Sequence, residues 1–241
     1  MKIYVVGLGP GGADQLTPKA ASVLQGCDII TGYTVYIELI KDMFPGKTLL
    51  STAMTKEVER CEIAIEKALQ GNIVAMVSSG DAGIYGMAGI IFETAQNYPE
   101  IEIEVVPGIT AASSGAAVIG APLTHDFAVI SLSDLLTPWE KIESRLAATA
   151  QADFVICLYN PSSKKRKDYL EKACDIILRY QSAELPAGIV RNIGRIGEEY
   201  RLMTLGELRN TRVDMFTTVF IGNSQTKIIN NKMVTPRGYR Y

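Results

Sequence analysis

The chain is poor in the side chains that most often carry chemistry. Its 241 residues hold one histidine, one tryptophan and four cysteines. A lone histidine gives no metal-ligand spacing, and Cys27, Cys61, Cys157 and Cys174 are too scattered for a CxxC pair. Neither a metal site nor a disulfide framework is expected from such a set. All four cysteines fall in apolar or helical patterns and read as buried free thiols. An excess of one charge is missing too: 24 basic against 26 acidic side chains leave −2. That balance argues against the basic face of a nucleic-acid-binding protein. The longest uncharged stretch, Val105 to Thr124, is about as long as a membrane span. It contains Pro107, Gly108, Ser113, Ser114, Gly115, Gly120 and Pro122, and reads instead as loop, helix and connector. Met1–Leu8 enters a strand-like run at once, without the charged region and cleavage site of a secretory leader. The expectation is a cytoplasmic protein with no membrane and no nucleic-acid partner. No repeat or low-complexity segment is visible.

What is present describes a folded α/β protein, with 47% hydrophobic and 21% charged residues. In the first half, apolar runs at Ile3–Leu8, Asp28–Thr31, Ile73–Ser78 and Ile101–Val106 read as strands. They alternate with helices at Leu16–Gln25, Thr55–Gln70, Gly86–Asn97 and Thr110–Ile119. Thr17 is placed to cap the first helix and Pro18 to begin it. On the second helix Val58, Cys61, Ile65, Ala68 and Leu69 share one face, and Gly71 ends it. Such alternation predicts a largely parallel sheet covered on both faces. The second half reads differently. Strands at Phe127–Leu132 and Asp153–Leu158 flank a helix near Trp139–Ala148. Lys165–Tyr180 reads as a long helix. Ala187–Asn192, Tyr200–Thr204 and Thr217–Ile221 follow with brief connections that imply antiparallel pairing. The boundary is read near Ala121–His125, giving two α/β domains, 1–121 and 122–241. A cleft between them is the default ligand site.

Three glycine-bearing turns follow strands of the first domain. Gly7-Leu8-Gly9-Pro10-Gly11-Gly12 fits G-x-G-x-x-G, the dinucleotide fingerprint. Pro10 removes one N–H that a pyrophosphate would use, and the second strand ends on Thr31-Gly32 with no ribose-binding acid. Ser78-Ser79-Gly80-Asp81-Ala82-Gly83-Ile84-Tyr85-Gly86 follows an apolar strand, where ligands of open α/β sheets bind. Asp81 there has three readings: it caps the next helix, pairs with a basic side chain, or binds a ligand. Pro107-Gly108-Ile109-Thr110-Ala111 repeats the pattern, with Thr110 either a helix cap or a ligand contact.

Together the loops resemble those of the tetrapyrrole methylases, S-adenosylmethionine-dependent enzymes of cobalamin and sirohaem synthesis. The family's G-x-G-P-G appears as Gly7–Gly11, its G-D-x-x-x-Y-G as Gly80–Gly86, and its P-G-(V/I)-T-(S/A) as Pro107–Ala111. Tyr159-Asn160 matches its Y-(M/N) turn. Ala121–Phe127, Ser131–Trp139 and Thr235–Tyr239 are similar to the branch that methylates carbon 17 of the macrocycle with ring contraction. That branch acts on precorrin-3B or, with cobalt in the ring, on cobalt-factor III. The form of the Gly80–Gly86 loop is closer to the cobalt type.

The resemblance implies a class III methyltransferase fold of two α/β domains. It also implies a homodimer, S-adenosyl-L-methionine as donor, and a tetrapyrrole substrate that carries any cobalt itself. It assigns Pro10, Ser79, Gly80, Asp81, Ile84, Tyr85, Thr110 and Ala111 to the donor, with Tyr159, Asn160 and Gly194 from the second domain. Gly9 and Gly11 fall on the substrate side. His125, the only histidine, beside Asp126, is a candidate for moving protons, as imidazoles commonly do; a structural histidine is the competing reading. Ser131, with Ser133 and Asp134, either bonds substrate or caps the helix beginning near Pro138. The carboxylates of a tetrapyrrole call for arginines, and Arg191, Arg195, Arg201 and Arg237 are the candidates. Lys164–Lys167 reads as a solvated helix start, although cations there oppose the helix dipole. Another methylase of different regiospecificity, a nucleotide-dependent oxidoreductase and a non-catalytic tetrapyrrole carrier are the alternatives.

Overall fold

A computed structural model describes residues 1–163 and 165–240. The chain divides into two compact units, Met1–Ala111 and Ala112–Tyr241. The sequence pattern places the boundary at 121/122. The ten residues between are the body of a helix and a two-residue strand of the second unit: a Cβ added to Gly115 on that helix would stand 2.8 Å from both Ile193 and Phe220.

The first unit alternates strand and helix in the order β1 (Lys2–Gly7), α1 (Pro18–Gly26), β2 (Ile29–Tyr33), α2 (Thr34–Ile40), β3 (Thr48–Thr52), α3 (Glu57–Leu69), β4 (Ile73–Ser78), α4 (Ala88–Thr94) and β5 (Glu102–Val106). Its sheet has the order β3-β2-β4-β1-β5, and every pair is parallel. The strands read as unbroken apolar runs because both faces are buried. Ile3, Val5, Val74 and Met76 pack under α3 and α4, and Val6, Ile30, Ala75 and Val77 under α1 and α2. Thr17 caps α1 as expected, its hydroxyl accepting the Ala20 N–H at 3.2 Å. On α3 the buried stripe is Cys61, Ala64, Ile65 and Ala68. Val58 and Leu69, read as members of it, are exposed, because they lie on the flank of the face that Ala64 completes. The sequence reading also passed over α2 and β3.

The second unit contains α5 (Ala111–Ile119), β6 (Gly120–Ala121), β7 (Phe127–Ser131), α6 (Trp139–Gln151), β8 (Val155–Tyr159), α7 (Tyr169–Ile177), β9 (Pro186–Arg191), β10 (Glu199–Thr204), α8 (Leu205–Arg209), β11 (Thr217–Ile221), β12 (Lys227–Ile229) and β13 (Lys232–Val234). Its main sheet runs β10-β9-β11-β8-β7. β7 and β8 are parallel and the remaining pairs antiparallel, as the short connections predicted. β12 and β13 form a hairpin that adds β6 to make a small second sheet.

The expected long helix over 165–180 is much shorter. Ser163 and Arg166 exchange backbone hydrogen bonds at 3.2 and 3.3 Å, which closes a tight turn ahead of α7. Lys165, Arg166 and Lys167 therefore precede the helix instead of forming its first turn. Asp168 occupies the cap position, and Lys172 pairs with it at 2.7 Å. Lys164, which opens the run, lies outside the described residues. Among the described residues no helix is long and apolar enough to cross a membrane. The uncharged 105–124 stretch resolves into the end of β5, a loop, α5, β6 and a turn.

Candidate functional site

In the first unit the three glycine-bearing turns emerge from the carboxyl ends of β1, β4 and β5 and are bonded into one layer. Leu8 N–H donates to the Ser78 carbonyl at 2.8 Å, and Gly9 and Gly80 exchange backbone bonds at 3.0 and 2.6 Å. Glycine is required for this approach. A Cβ on Gly7 would lie 2.6 Å from the Gly108 nitrogen and 2.7 Å from the Gly80 oxygen. A Cβ on Gly108 would overlap that same oxygen. Gly80 itself turns with φ +64°, a region that favours glycine.

Asp81 joins the second loop to the third. One carboxylate oxygen accepts the Gly83 N–H at 2.8 Å and the other the Gly108 N–H at 3.0 Å. Two of its three sequence readings fall here. Helix α4 begins at Ala88 with Met87 in the cap position, and the carboxylate's bonds go to backbone N–H groups. Beyond Asp81 the loop displays Ile84 and Tyr85, both exposed, with Tyr85 at φ +55°. Pro10 is buried, Ser79 and Ala111 are half-buried, and Thr110 stands directly before α5. The three loops, 7–12, 78–87 and 107–111, contain no lysine or arginine, and Asp81 is their one carboxylic acid.

The second unit has its own polar cluster at the carboxyl ends of β7 and β8. Ser131 and Tyr159 are register partners there. The Ser131 hydroxyl accepts the Asn160 amide at 2.9 Å and the Ser133 N–H at 3.2 Å. The Tyr159 hydroxyl accepts the Ala112 N–H at 2.7 Å, and Asn160 takes φ +53°. Asp134 accepts from Tyr169 at 2.6 Å and from Arg166 at 3.0 Å. The Tyr169 hydroxyl, then the Arg166 guanidinium, holds its carboxyl below the usual aspartate range. Capping by Ser131, Ser133 or Asp134 does not occur: α6 starts behind Pro138 with no side-chain cap. Two neighbours that sequence reasoning missed are Leu135 and Leu136, 67% and 98% exposed. Their apolar character signals burial in a sequence, and only the tertiary position shows otherwise.

The remaining candidates scatter. His125 and Asp126 are exposed in the turn before β7, and the Asp126 carbonyl accepts the Val155 N–H at 3.2 Å. His125 makes no hydrogen bond to Ser131 among the described residues. That turn is tied to the terminal segment, where the Thr124 hydroxyl donates to the Thr235 carbonyl. Gly194, at φ +67°, donates its N–H to Glu198 at 2.7 Å. Arg191 is held between Asp214 at 2.7 Å and Glu199 at 3.1 Å. Arg201 donates to Thr211 at 2.8 Å. Arg195 is half-buried, and Arg237 is exposed beyond β13. All four cysteines are buried free thiols, as read. Burial pushes Cys61 up to about 11 and Cys174 up to about 12, so neither supplies a thiolate near neutral pH.

Comparison with known proteins bears on the family and the fold. The sequence pattern of the Tetrapyrrole (Corrin/Porphyrin) Methylases matches residues 2–209. A protein of Salmonella typhimurium named a probable cobalt-factor III C(17)-methyltransferase is 46% identical over 98% of this chain and 99% of its own length. The cobalt-factor III methyltransferase of Priestia megaterium is 44% identical over 99% of this chain, which spans 45% of that larger protein. Among solved structures, the methyltransferase CobJ superposes with a TM-score of 0.90 at 36% identity, covering 97% of this chain and 99% of its own.

Proposed function

We propose a function for a chain that belongs to the tetrapyrrole (corrin/porphyrin) methylase family. It transfers the methyl group of S-adenosylmethionine to carbon 17 of a cobalamin precursor, with contraction of the ring. Cobalt-factor III is the assigned substrate, in line with the names of the relatives at 46% and 44% identity. Cobalt then arrives as part of the substrate, and no side chain of this protein is assigned to it.

The observation that carries the donor assignment is the character of the three loops in the first unit. They offer closely packed backbone, no cation and one carboxylate. A cationic sulfonium meets no like charge in such a bed. A pyrophosphate calls for N–H donors and positive charge, which disfavours the oxidoreductase alternative.

The donor supplies an electrophilic methyl group. The protein's part is to bind it, orient it and exclude water. Pro10, Ser79, Gly80, Asp81, Ile84, Tyr85, Thr110 and Ala111 are the residues proposed to hold it in the first unit. His125, with Asp126 and Ser131, is proposed to handle protons during contraction. Arg237, exposed beyond β13, is better placed than Arg191 to meet substrate carboxylates, since Arg191 is already held by two acids; Arg195 remains a candidate too.

The assay combines purified protein, methyl-labelled donor and the trimethylated precursor with and without cobalt. Label at carbon 17 of the cobalt form is the expected result. Folded protein that transfers no label under either condition would overturn the catalytic reading, and label at another carbon would change the regiospecificity. The same reading takes the protein as a cytoplasmic homodimer. Light scattering should give twice the chain mass, and a monomer would refute that part alone.

A further inference from the structure

The buried polar side chains of the first unit are not dispersed. Those described as buried are Thr31, Thr52, Arg60 and Ser78, and the strand registers gather them in one place. Thr31 pairs in register with Leu50 and Met76, which pack on the α3 and α4 face of the sheet. Thr52 and Ser78 stand two residues further along the same strands. Alternation along a strand puts them on that same face. Thr52 and Ser78 therefore lie at the carboxyl ends of β3 and β4, Thr31 stands one step back on β2 with its buried hydroxyl unbonded among the described residues, and Arg60 reaches Thr52 from the first turn of α3.

Arg60 is 3% exposed. Its guanidinium donates to the Thr52 hydroxyl at 2.8 Å, the Ala53 carbonyl at 3.1 Å and the Met87 sulfur at 3.4 Å. No carboxylate is among these acceptors. Burial pulls its pKa below the ordinary arginine value, yet a guanidinium stays charged in proteins. A buried charge without a carboxylate is costly, and an apolar residue of similar length would fill the same space more cheaply. The polar contacts converge on Met87, the last residue of the Ser79–Met87 loop. Ser78 accepts its backbone N–H at 3.3 Å, while Arg60 donates to its side chain.

We propose that Arg60 is a positioning residue for the methyl donor: from behind the loop it ties Met87 to the Thr52–Ala53 end of β3, and so sets the shape of Gly80–Gly86 without touching the donor. The inference rests on the donor-site reading given above.

The test uses the full chain, with S-adenosylhomocysteine affinity by calorimetry, donor KM, kcat at saturating donor, and thermal melting. Arg60→Met should keep or raise the melting temperature. It should also weaken S-adenosylhomocysteine and raise donor KM by about tenfold or more, the scale of a lost charged hydrogen bond, with kcat little changed. Arg60→Lys should recover part of the affinity. A purely structural arginine would lower stability and leave the affinity of the folded fraction intact, and that result overturns the proposal. If Arg60→Met fails to fold, Thr52→Val and Met87→Leu each remove one acceptor while keeping shape. Each should raise donor KM by about two- to fivefold, and no rise in either overturns the proposal. Wild-type protein that does not bind S-adenosylhomocysteine would overturn the donor site itself, an outcome distinct from unchanged affinity in the variants.

Discussion

Gly108→Ala should abolish donor binding and destabilise the first unit by about 3 kcal/mol, the upper end of overpacking costs. The added methyl would overlap the Gly80 carbonyl oxygen and lie 2.7 Å from the Gly7 carbonyl carbon and oxygen. Both obstacles are backbone, and both belong to neighbouring loops of the same layer, so no side chain can rotate away. Relief has to come from parting the loops. That would stretch the 3.0 Å bond from Gly108 N–H to Asp81 and the Gly9–Gly80 exchange together. Gly26→Ala is the control, because nothing lies within 4 Å of its added methyl. It closes α1, and alanine is about 1 kcal/mol better than glycine in a helix. Calorimetry with S-adenosylhomocysteine and thermal melting on both variants read the two effects separately. A Gly108→Ala protein that binds with wild-type affinity would remove the case for a closely packed donor bed.

The same packing explains which parts of the protein could be read from its sequence. Strands buried on both faces announce themselves as apolar runs, and a turn where two backbones touch admits only glycine. Hence β1, β4, β5 and the loops after them were legible, as was the Thr17 cap. Features that depend on partners distant in sequence were not. Asp81 bonds Gly108 across 27 residues, and nothing local to either residue distinguishes that bond from a helix cap. Arg60 adjoins the buried Cys61 on α3, but nothing local marks an arginine of an amphipathic helix as buried; its burial follows from the Thr52 end of β3, a strand absent from the sequence pattern as read. Helix α2 follows β2 directly, Tyr33 to Thr34, with no connecting residues between them and no side-chain cap to mark its start. The start of α7 was misplaced for a related reason: Ser163–Arg166 satisfies its backbone in a local turn, and helix propensity does not report such competition.

Asp81→Ala should cost the protein about a hundredfold in donor affinity, and Asp81→Asn about tenfold. The alanine variant leaves two N–H groups, of Gly83 and Gly108, without their acceptor. An unsatisfied buried donor costs about 1–3 kcal/mol, less where water can enter, as it can at exposed Gly83. The asparagine variant keeps one carbonyl oxygen and turns its amide N–H groups toward the other donor, so one bond is lost and a repulsion is added. A second mechanism competes with this one. Asp81 is the only carboxylic acid among the three loops, and its charge would favour a sulfonium directly. The two separate cleanly by ligand, since S-adenosylmethionine carries the positive sulfur and S-adenosylhomocysteine does not. Both carboxylate oxygens already accept backbone N–H groups, so Asp81→Asn should weaken the two ligands by the same factor, measured by calorimetry at fixed salt. A markedly larger loss for S-adenosylmethionine would show the carboxylate acting as a counter-charge to the donor, and the account of Asp81 as the tie between two loops would then be incomplete.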